Sequence, residues 1–182
     1  YVPSTPFLQI LDADGEVMFD LERETTLERG EQVVQPEHAY QITDILADNN
    51  ARSMIFGANS PLVIPELGDR PIAAKTGTTD DSRDGWTMGY TTEVVAGVWV
   101  GNSDNRPSQN LDGIAGAAPI WHDFMCLIHT DPEFSELLLG PEGERFSTEF
   151  PRPENIVEAP ICTTTGKRPI SGVMTTTELL VD

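Results

Sequence analysis

The most informative stretch of the chain is residues 72–79, which read Ile-Ala-Ala-Lys-Thr-Gly-Thr-Thr. The apolar lead-in followed by threonines predicts a β-strand. Because side chains alternate along a strand, Thr76 and Thr78 share one face and Gly77 lies on the other. Two hydroxyl groups beside Lys75 can bind a carboxylate through charge-assisted hydrogen bonds. Gly77 leaves room for a substrate backbone or another chain segment to approach closely.

A nucleotide-binding loop is the rival reading of a Lys-Thr pair. That loop requires a glycine directly before the lysine, so that backbone N–H groups can hold phosphate. Ala74 precedes Lys75, and the nearest upstream glycine is Gly68. A nucleotide site is therefore excluded.

Two more strands are predicted after this one, over residues 86–91 and 93–101. The connections are short, which favours antiparallel neighbours. Residues 94–100 are apolar on both faces, so we expect the third strand to be buried in the centre of the sheet.

The flanking sequence predicts a hairpin and two helices. The hairpin spans residues 7–19 around an Asp-Gly turn. The first helix has about 12 residues and begins at Pro36, and residues 51–69 are expected to form an irregular loop. The second helix spans residues 119–129, with a predicted apolar face made of Ile120, Phe124, Leu127 and Ile128.

The charge balance restricts the partners. Lys+Arg number 11 and Asp+Glu 30, so the net charge is 11 − 30 = −19 over 182 residues. Such a chain repels phosphate backbones and anionic lipids, so we expect no nucleic-acid or peripheral-membrane role. No run approaches the roughly 20 apolar residues of a membrane span, and no signal peptide is evident. The chain is then either cytoplasmic or part of a longer precursor.

The two cysteines do not predict a metal site. Neither Cys126 nor Cys162 has a second cysteine or histidine at the spacing of metal ligands. His122 and His129 flank Cys126 at helical spacing and are expected to be histidines on the helix surface. No cofactor is expected, and a disulfide between the two cysteines is left open.

Four blocks of sequence together resemble the penicillin-binding proteins, in particular the transpeptidase domain of their class A type. Each block lies in family order with family spacing, whereas the Lys-Thr-Gly triplet alone would be weak evidence. The blocks are residues 70–79, 83–90, 98–102 and 116–121. Two departures occur: Ala74 replaces the common glycine before the lysine, and Thr87 stands where the family favours an aromatic residue.

The resemblance implies an α+β fold, an antiparallel sheet with packed helices of the β-lactamase-like type. Residues 1–150 would be the C-terminal part of the transpeptidase domain, and residues 151–182 a small β-like appendage. The implied activity is that of a serine D,D-transpeptidase, which crosslinks D-Ala-D-Ala stem peptides of peptidoglycan and binds β-lactams. The implied substrate-binding residues are Lys75, Thr76, Gly77, Thr78 and Thr79, with Lys75 and Thr78 also catalytic and no metal.

The nucleophile of that family is missing from the chain. Its Ser-x-x-Lys motif would need a serine three residues before a lysine. Ile72 stands there for Lys75, and Thr164 for Lys167. Residues 103–105 and 108–110 match the family's Ser-x-Asn motif, but both follow the Lys-Thr-Gly strand instead of preceding it. We interpret them as chance matches.

Three expectations follow for the chain as a fragment. It should be inactive alone, with the missing N-terminal part of the same protein as its partner. Exposed apolar surface should favour self-association of the fragment. The parent protein should be anchored at the extracytoplasmic face of the bacterial cell membrane. The alternative is a non-catalytic extracytoplasmic binding or scaffold domain derived from the same fold.

Overall fold

A computed structural model describes residue 7 and residues 9–20, 32–108, 112–140 and 142–181. Its strands and helices follow one another as an α+β chain. The strands are β1 (Gln9–Leu11), β2 (Val17–Asp20), β3 (Ala73–Thr78), β4 (Asp84–Tyr90), β5 (Val95–Gly101), β6 (Ile156–Cys162) and β7 (Thr175–Val181). The α-helices are α1 (Pro36–Ala47), α2 (Asn49–Phe56), α3 (Ala118–Thr130) and α4 (Pro132–Ser135), and a π-helix (Gly113–Ala117) leads directly into α3.

The main sheet has three strands in the order β3-β4-β5, and both pairings are antiparallel. This confirms the predicted strands and their antiparallel neighbours. Thr78 pairs with Gly85, and Trp86 pairs with both Gly77 and Trp99. The predicted hairpin is present as β1 paired with β2, and the predicted first helix is α1.

Helix α3 covers one face of the sheet through a close contact with β4. Trp121 is fully buried, and a Cβ atom at Gly89 would lie 2.3 Å from its ring. A glycine at this position is therefore what allows the indole to lie directly on the strand. One turn later Met125 is also fully buried. The core around them contains Leu62, Ile64, Ile72, Ala74 and Ala118.

The predicted apolar face of α3 is wrong. Ile120, Phe124 and Leu127 are exposed, whereas Trp121 and Met125 face the sheet. The helix has apolar residues on two sides, and periodicity alone does not say which side packs. Because Gly89 has no side chain, the strand leaves room for the large indole of Trp121. Helix α3 therefore packs against the sheet with the side that carries Trp121.

The prediction that the third strand is buried and central is also wrong. In the sheet order β3-β4-β5 it lies at an edge, and no further strand pairs with it among the residues described. Val95 is 71% exposed and Trp99 44%. Strand β4 is central instead, because it pairs with β3 along one edge and with β5 along the other. Its glycines and Thr87 face the covered side of the sheet, and Trp86 and Met88 face the open side.

The segment predicted as an irregular loop, residues 51–69, starts inside helix α2, so the prediction is wrong for residues 51–56. Asp48 lies at the C-terminus of α1 and at the N-terminus of α2. Its Oδ1 accepts hydrogen bonds from the backbone N–H groups of Asn50 and Ala51, at 2.8 and 3.0 Å, which is a typical N-cap. Gly57 then ends α2 with a φ of 80°.

The C-terminal residues form a separate two-stranded sheet, β6 with β7. It contacts α1, where Gln41 Nε2 donates to the Leu179 carbonyl at 2.8 Å and Asn155 donates to Glu37 at 2.7 Å. No described helix has the length and apolar character needed to cross a membrane.

A buried polar cluster joins the end of α3 to the turn between β4 and β5. Arg70 forms an ion pair with Glu93 at 2.8 Å, with both side chains largely buried. The side chain of His129, 3% exposed, lies 3.8 Å from Glu93 and is not the surface histidine that was expected. Its Nδ1 lies 2.8 Å from the Met125 carbonyl, so Nδ1 carries the proton. Nε2 then accepts from the Thr91 hydroxyl at 3.2 Å.

The cluster predicts that acid destabilises the fold. Burial lowers the pKa of His129 in the folded chain, and the nearby Arg70 adds to that effect. The unfolded chain therefore binds the proton more readily, and the stability from neutral His129 is lost as pH falls below about 6.5. We expect the midpoint of urea unfolding to drop between pH 7.5 and pH 5.5. His129→Asn, which keeps a donor near the Nδ1 position, should flatten that dependence.

The matched control is His38→Asn, at an exposed position in α1. It should leave the slope of stability against pH unchanged. A His129→Asn chain whose slope equals that of the wild type would show that another group causes the acid sensitivity.

Candidate active site

The direction of the backbone groups in β3 follows from one hydrogen bond at its end. Thr79 N–H donates to the Asp84 carbonyl at 3.0 Å, across to the start of β4. Alternate residues of an antiparallel strand direct their backbone groups to the same side. The backbone groups of Gly77 and Lys75 therefore face β4, while those of Thr76 and Thr78 face the opposite, open edge of the sheet.

Side-chain contacts along the open edge agree with this assignment. The carbonyls of Ile72 and Ala74 accept from the Arg52 guanidinium at 3.3 and 3.1 Å. The Thr76 carbonyl accepts from Lys75 Nζ at 2.5 Å. Even-numbered residues of this strand thus expose their backbone to the outside, and the N–H of Thr78 is directed there as well.

The side chains divide between the two faces as predicted. Thr76 and Thr78 lie on the face that α3 and the π-helix cover, and Lys75 and Gly77 lie on the opposite face. Thr78 Oγ1 accepts a hydrogen bond from the backbone N–H of Gly113 at 3.0 Å. Two hydroxyls, two outward N–H groups and one ammonium group therefore lie within residues 75–78 at the open edge.

Thr79 differs from the other residues predicted to bind substrate. Its hydroxyl donates to Asp84 Oδ2 at 3.0 Å and accepts from Asp84 N–H at 2.9 Å. The other carboxylate oxygen of Asp84 accepts from Trp99 Nε1 at 2.9 Å. Arg83 donates to the Asn105 carbonyl at 2.7 Å. These contacts of Arg83 and Asp84 fix the turn after the strand, and they place Thr79 in that turn.

Lys75 places an exposed ammonium group at the open edge of β3. Its side chain is exposed, and no carboxylate forms an ion pair with it among the residues described. In a chain with net charge −19, an unpaired ammonium group offers a local attraction for an anion that the surrounding acidic surface does not.

Three residues at the site were not found from the sequence. Arg52 reaches the strand from α2, Gly113 lies against Gly77, and Thr87 donates from β4 to the Gly113 carbonyl at 3.0 Å. Arg52 and Gly113 come from segments more than 20 residues away from residues 75–78 along the chain, and the contact of Thr87 is with Gly113, 26 residues after it, so no local pattern indicates these contacts.

The two Ser-x-Asn matches lie beyond β5. Ser103 to Asn105 form an exposed turn in which Asn105 has a φ of 59°. Ser108 accepts from the Asn102 side chain at 3.0 Å, and residues 109 and 110 lie outside the described part of the chain.

Metal ligands and a disulfide are likewise not seen in the described ranges. No group of three or more His, Cys, Asp and Glu side chains is placed to hold a metal ion there. Cys126 and Cys162 are both free, which answers the question that the sequence left open.

Comparison with known proteins finds similarity to penicillin-binding proteins. The chain is 31% identical over 119 residues to penicillin-binding protein 1A of Neisseria lactamica and 32% identical to that of Neisseria gonorrhoeae; both matches cover 64% of this chain. Penicillin-binding protein 1A of Aquifex aeolicus is 38% identical over 76 residues, or 41% of the chain. No protein-family model matches.

A solved structure supports the fold over more of the chain. Penicillin-binding protein 1A from Haemophilus influenzae superposes with a TM-score of 0.63 at 24% identity, covering 94% of this chain and 28% of the other. The α+β fold and the resemblance to penicillin-binding proteins are therefore confirmed. The chain spans only 14% of the length of the Neisseria relatives and 10% of the Aquifex one.

The contacts of Arg52 predict that it holds the strand in place. Its guanidinium donates to the carbonyls of Ile72 and Ala74 and also to that of Leu46 at 2.9 Å. Arg52→Met leaves part-buried carbonyls without partners, so we expect a loss of about 1–3 kcal/mol in the free energy of unfolding. Amide exchange in β3 should accelerate with it.

Arg106→Met is the matched control, because Arg106 is exposed and, within the described residues, its side chain forms an ion pair only with Asp104, two residues away. It should change the stability by less than about 0.5 kcal/mol. Equal effects of the two substitutions would mean that Arg52 does not support the strand.

Proposed function

We propose that this chain is the C-terminal part of a peptidoglycan D,D-transpeptidase domain and that the open edge of β3 is one wall of its active site. The observation that carries the proposal is the outward N–H of Thr78 beside the hydroxyls of Thr76 and Thr78 and the ammonium group of Lys75. Similarity to penicillin-binding protein 1A supports a role in peptidoglycan synthesis.

The geometry suits a peptide that ends in a carboxylate. An extended peptide can lie along the open edge and bond to the outward backbone groups of Thr76 and Thr78, as an added strand does. The terminal carboxylate of a D-Ala-D-Ala stem, or of a β-lactam, would then accept from the hydroxyls of Thr76 and Thr78. Lys75 supplies charge on the adjacent face, and Gly77 keeps that face free of a side chain.

The N–H of Thr78 has a distinct role in this proposal. Attack of a serine on the D-Ala-D-Ala carbonyl forms a tetrahedral oxyanion, and the N–H of Thr78 donates to it from the strand edge. The second donor and the nucleophile come from the serine of a Ser-x-x-Lys motif outside this chain. The terminal D-alanine leaves, and an amine of a neighbouring stem takes the acyl group.

Two surfaces fit the partner that carries the serine. The open face of the sheet exposes Trp86, Met88 and Trp99, and the outer side of α3 exposes Ile120 and Phe124. Exposed apolar groups of this size mark surfaces that another chain segment covers. We propose that the N-terminal part of the same protein covers these surfaces. The isolated chain self-associates because this cover is missing.

The organisation and location of the parent protein follow the same proposal. Residues 1–150 belong to the transpeptidase domain, and residues 151–182, which contain β6 and β7, form its small C-terminal appendage. The parent works at the extracytoplasmic face of the bacterial membrane, where peptidoglycan is crosslinked, and is anchored there by a segment outside this chain.

A non-catalytic extracytoplasmic binding or scaffold domain is the alternative, and one observation favours it: none of the 182 residues completes a Ser-x-x-Lys motif. The coding sequence upstream of Tyr1 separates the two functions. A Ser-x-x-Lys motif followed by Ser-x-Asn supports the transpeptidase, and an upstream region without them supports the scaffold.

The test is covalent labelling with a fluorescent penicillin, followed by denaturing gel electrophoresis. The isolated chain should take up no label. The chain joined to its upstream Ser-x-x-Lys segment should be labelled, and Lys75→Ala should slow that labelling about 100-fold or more, because the site loses its positive charge.

Lys167→Ala is the matched control, since Lys167 is the second lysine of the chain and is exposed in a turn of the C-terminal sheet. It should be labelled at the wild-type rate. Labelling of the isolated chain would refute the missing nucleophile, and full labelling of Lys75→Ala would refute the role of Lys75.

A further inference from the structure

Thr87 is a fully buried polar residue directly behind the candidate active site. Its hydroxyl donates to the Gly113 carbonyl at 3.0 Å. The same carbonyl accepts from the N–H of Ala118, the bond that closes the π-helix. A carbonyl oxygen has two lone pairs, so both are used, and Thr87 attaches the first residue of the π-helix to the sheet.

Gly113 in turn lies against the active-site strand at a distance that only glycine permits. A Cβ atom there would be 2.6 Å from the Gly77 carbonyl oxygen and 2.5 Å from that of Trp86. Its N–H donates to Thr78 Oγ1 at 3.0 Å. Thr87, Gly113 and Thr78 are thus linked by two hydrogen bonds of normal length, with Gly113 between the two threonines.

The contact with Gly113 determines what the Thr78 hydroxyl can do. A hydroxyl has one proton to donate and two lone pairs that accept. Because the Gly113 N–H occupies a lone pair, the proton of Thr78 remains available, and no acceptor takes it among the described residues. A hydroxyl that already accepts a hydrogen bond is polarised and becomes a stronger donor.

We propose that Thr87 is a positioning residue, which acts through Gly113 to hold the Thr78 hydroxyl as a donor to the carboxylate of the ligand. The inference rests on the proposed function in one respect, namely that the ligand at β3 carries a carboxylate. Thr87 itself touches no ligand, since it is buried beneath the strand.

The test is an NMR titration of the full 182-residue chain with N-acetyl-D-alanine and, separately, with N-acetyl-D-alaninamide, which lacks the carboxylate. N-acetyl-D-alanine (the acid) should shift the backbone N–H signals of Gly77 and Thr78 more strongly than N-acetyl-D-alaninamide (the amide) does. Thr87→Val should weaken binding of the acid about three- to tenfold, the effect of one lost hydrogen bond. Binding of the amide should not change, and Thr87→Ser should restore binding of the acid.

The valine variant is expected to fold, because the Gly113 carbonyl keeps its bond from Ala118 and no buried group is left without a partner. Thermal unfolding of each variant checks this. Gly113→Ala gives a second route, since displacement of Gly113 should weaken acid binding even with Thr87 intact.

Unchanged acid binding in Thr87→Val would overturn the inference, as would equal losses for the acid and the amide, which would mean a structural role only. Equal binding of acid and amide by the wild type would overturn it too. Penicillin labelling of the extended protein separates the two claims. If the extended protein is labelled but Thr87→Val leaves the binding of N-acetyl-D-alanine unchanged, only the positioning role is refuted. If Thr87→Val weakens that binding but the extended protein is not labelled, only the transpeptidase function is refuted.

Discussion

The antiparallel pairing of β3 with β4 is the constraint on which the site depends. The register that places Thr78 opposite Gly85 decides at once which backbone groups face the open edge and which side chains face the helices. A shift of one residue would direct the N–H of Gly77 outward and move both threonines to the uncovered face. The turn after β3 secures the register, because both oxygens of Asp84 and its N–H are bound by Thr79 and Trp99.

The chemistry of the strand could be predicted from the sequence because it lies within a few consecutive residues. The alternation of side chains along residues 75–78 indicates which residues share a face of the sheet, and the structure shows the predicted arrangement. The pattern cannot say which apolar surface is covered, since that depends on partners distant in the chain. For this reason Val95 and Trp99 were predicted to be buried and are exposed. The roles of residues 75–79 in binding remain predictions.

Thr87 shows why the supporting contacts were not predicted. It departs from the aromatic residue that the resemblance implies at this position, and the sequence assigned it no role in the site. The structure gives it a defined contact, the Gly113 carbonyl, because the chain returns to the sheet 26 residues later. Such a contact depends on a tertiary distance, which a single sequence does not contain. The contacts of Arg52 with the strand were not predicted for the same reason, since the carbonyls of Ile72 and Ala74 lie 20 and 22 residues away.

The distribution of charge and apolar surface fits a chain that forms one part of a larger active site. A net charge of −19 opposes the approach of any carboxylate, so a site for one needs local donors that outweigh the surrounding field. The edge of β3 provides them within a few ångströms, where a direct hydrogen bond acts at full strength and the more distant charges are screened over about 8 Å. In the proposed active site, the remaining walls would keep water from this edge, because donors stabilise an oxyanion far better in a dry site. The exposed faces of the sheet and of α3 are where such walls can attach.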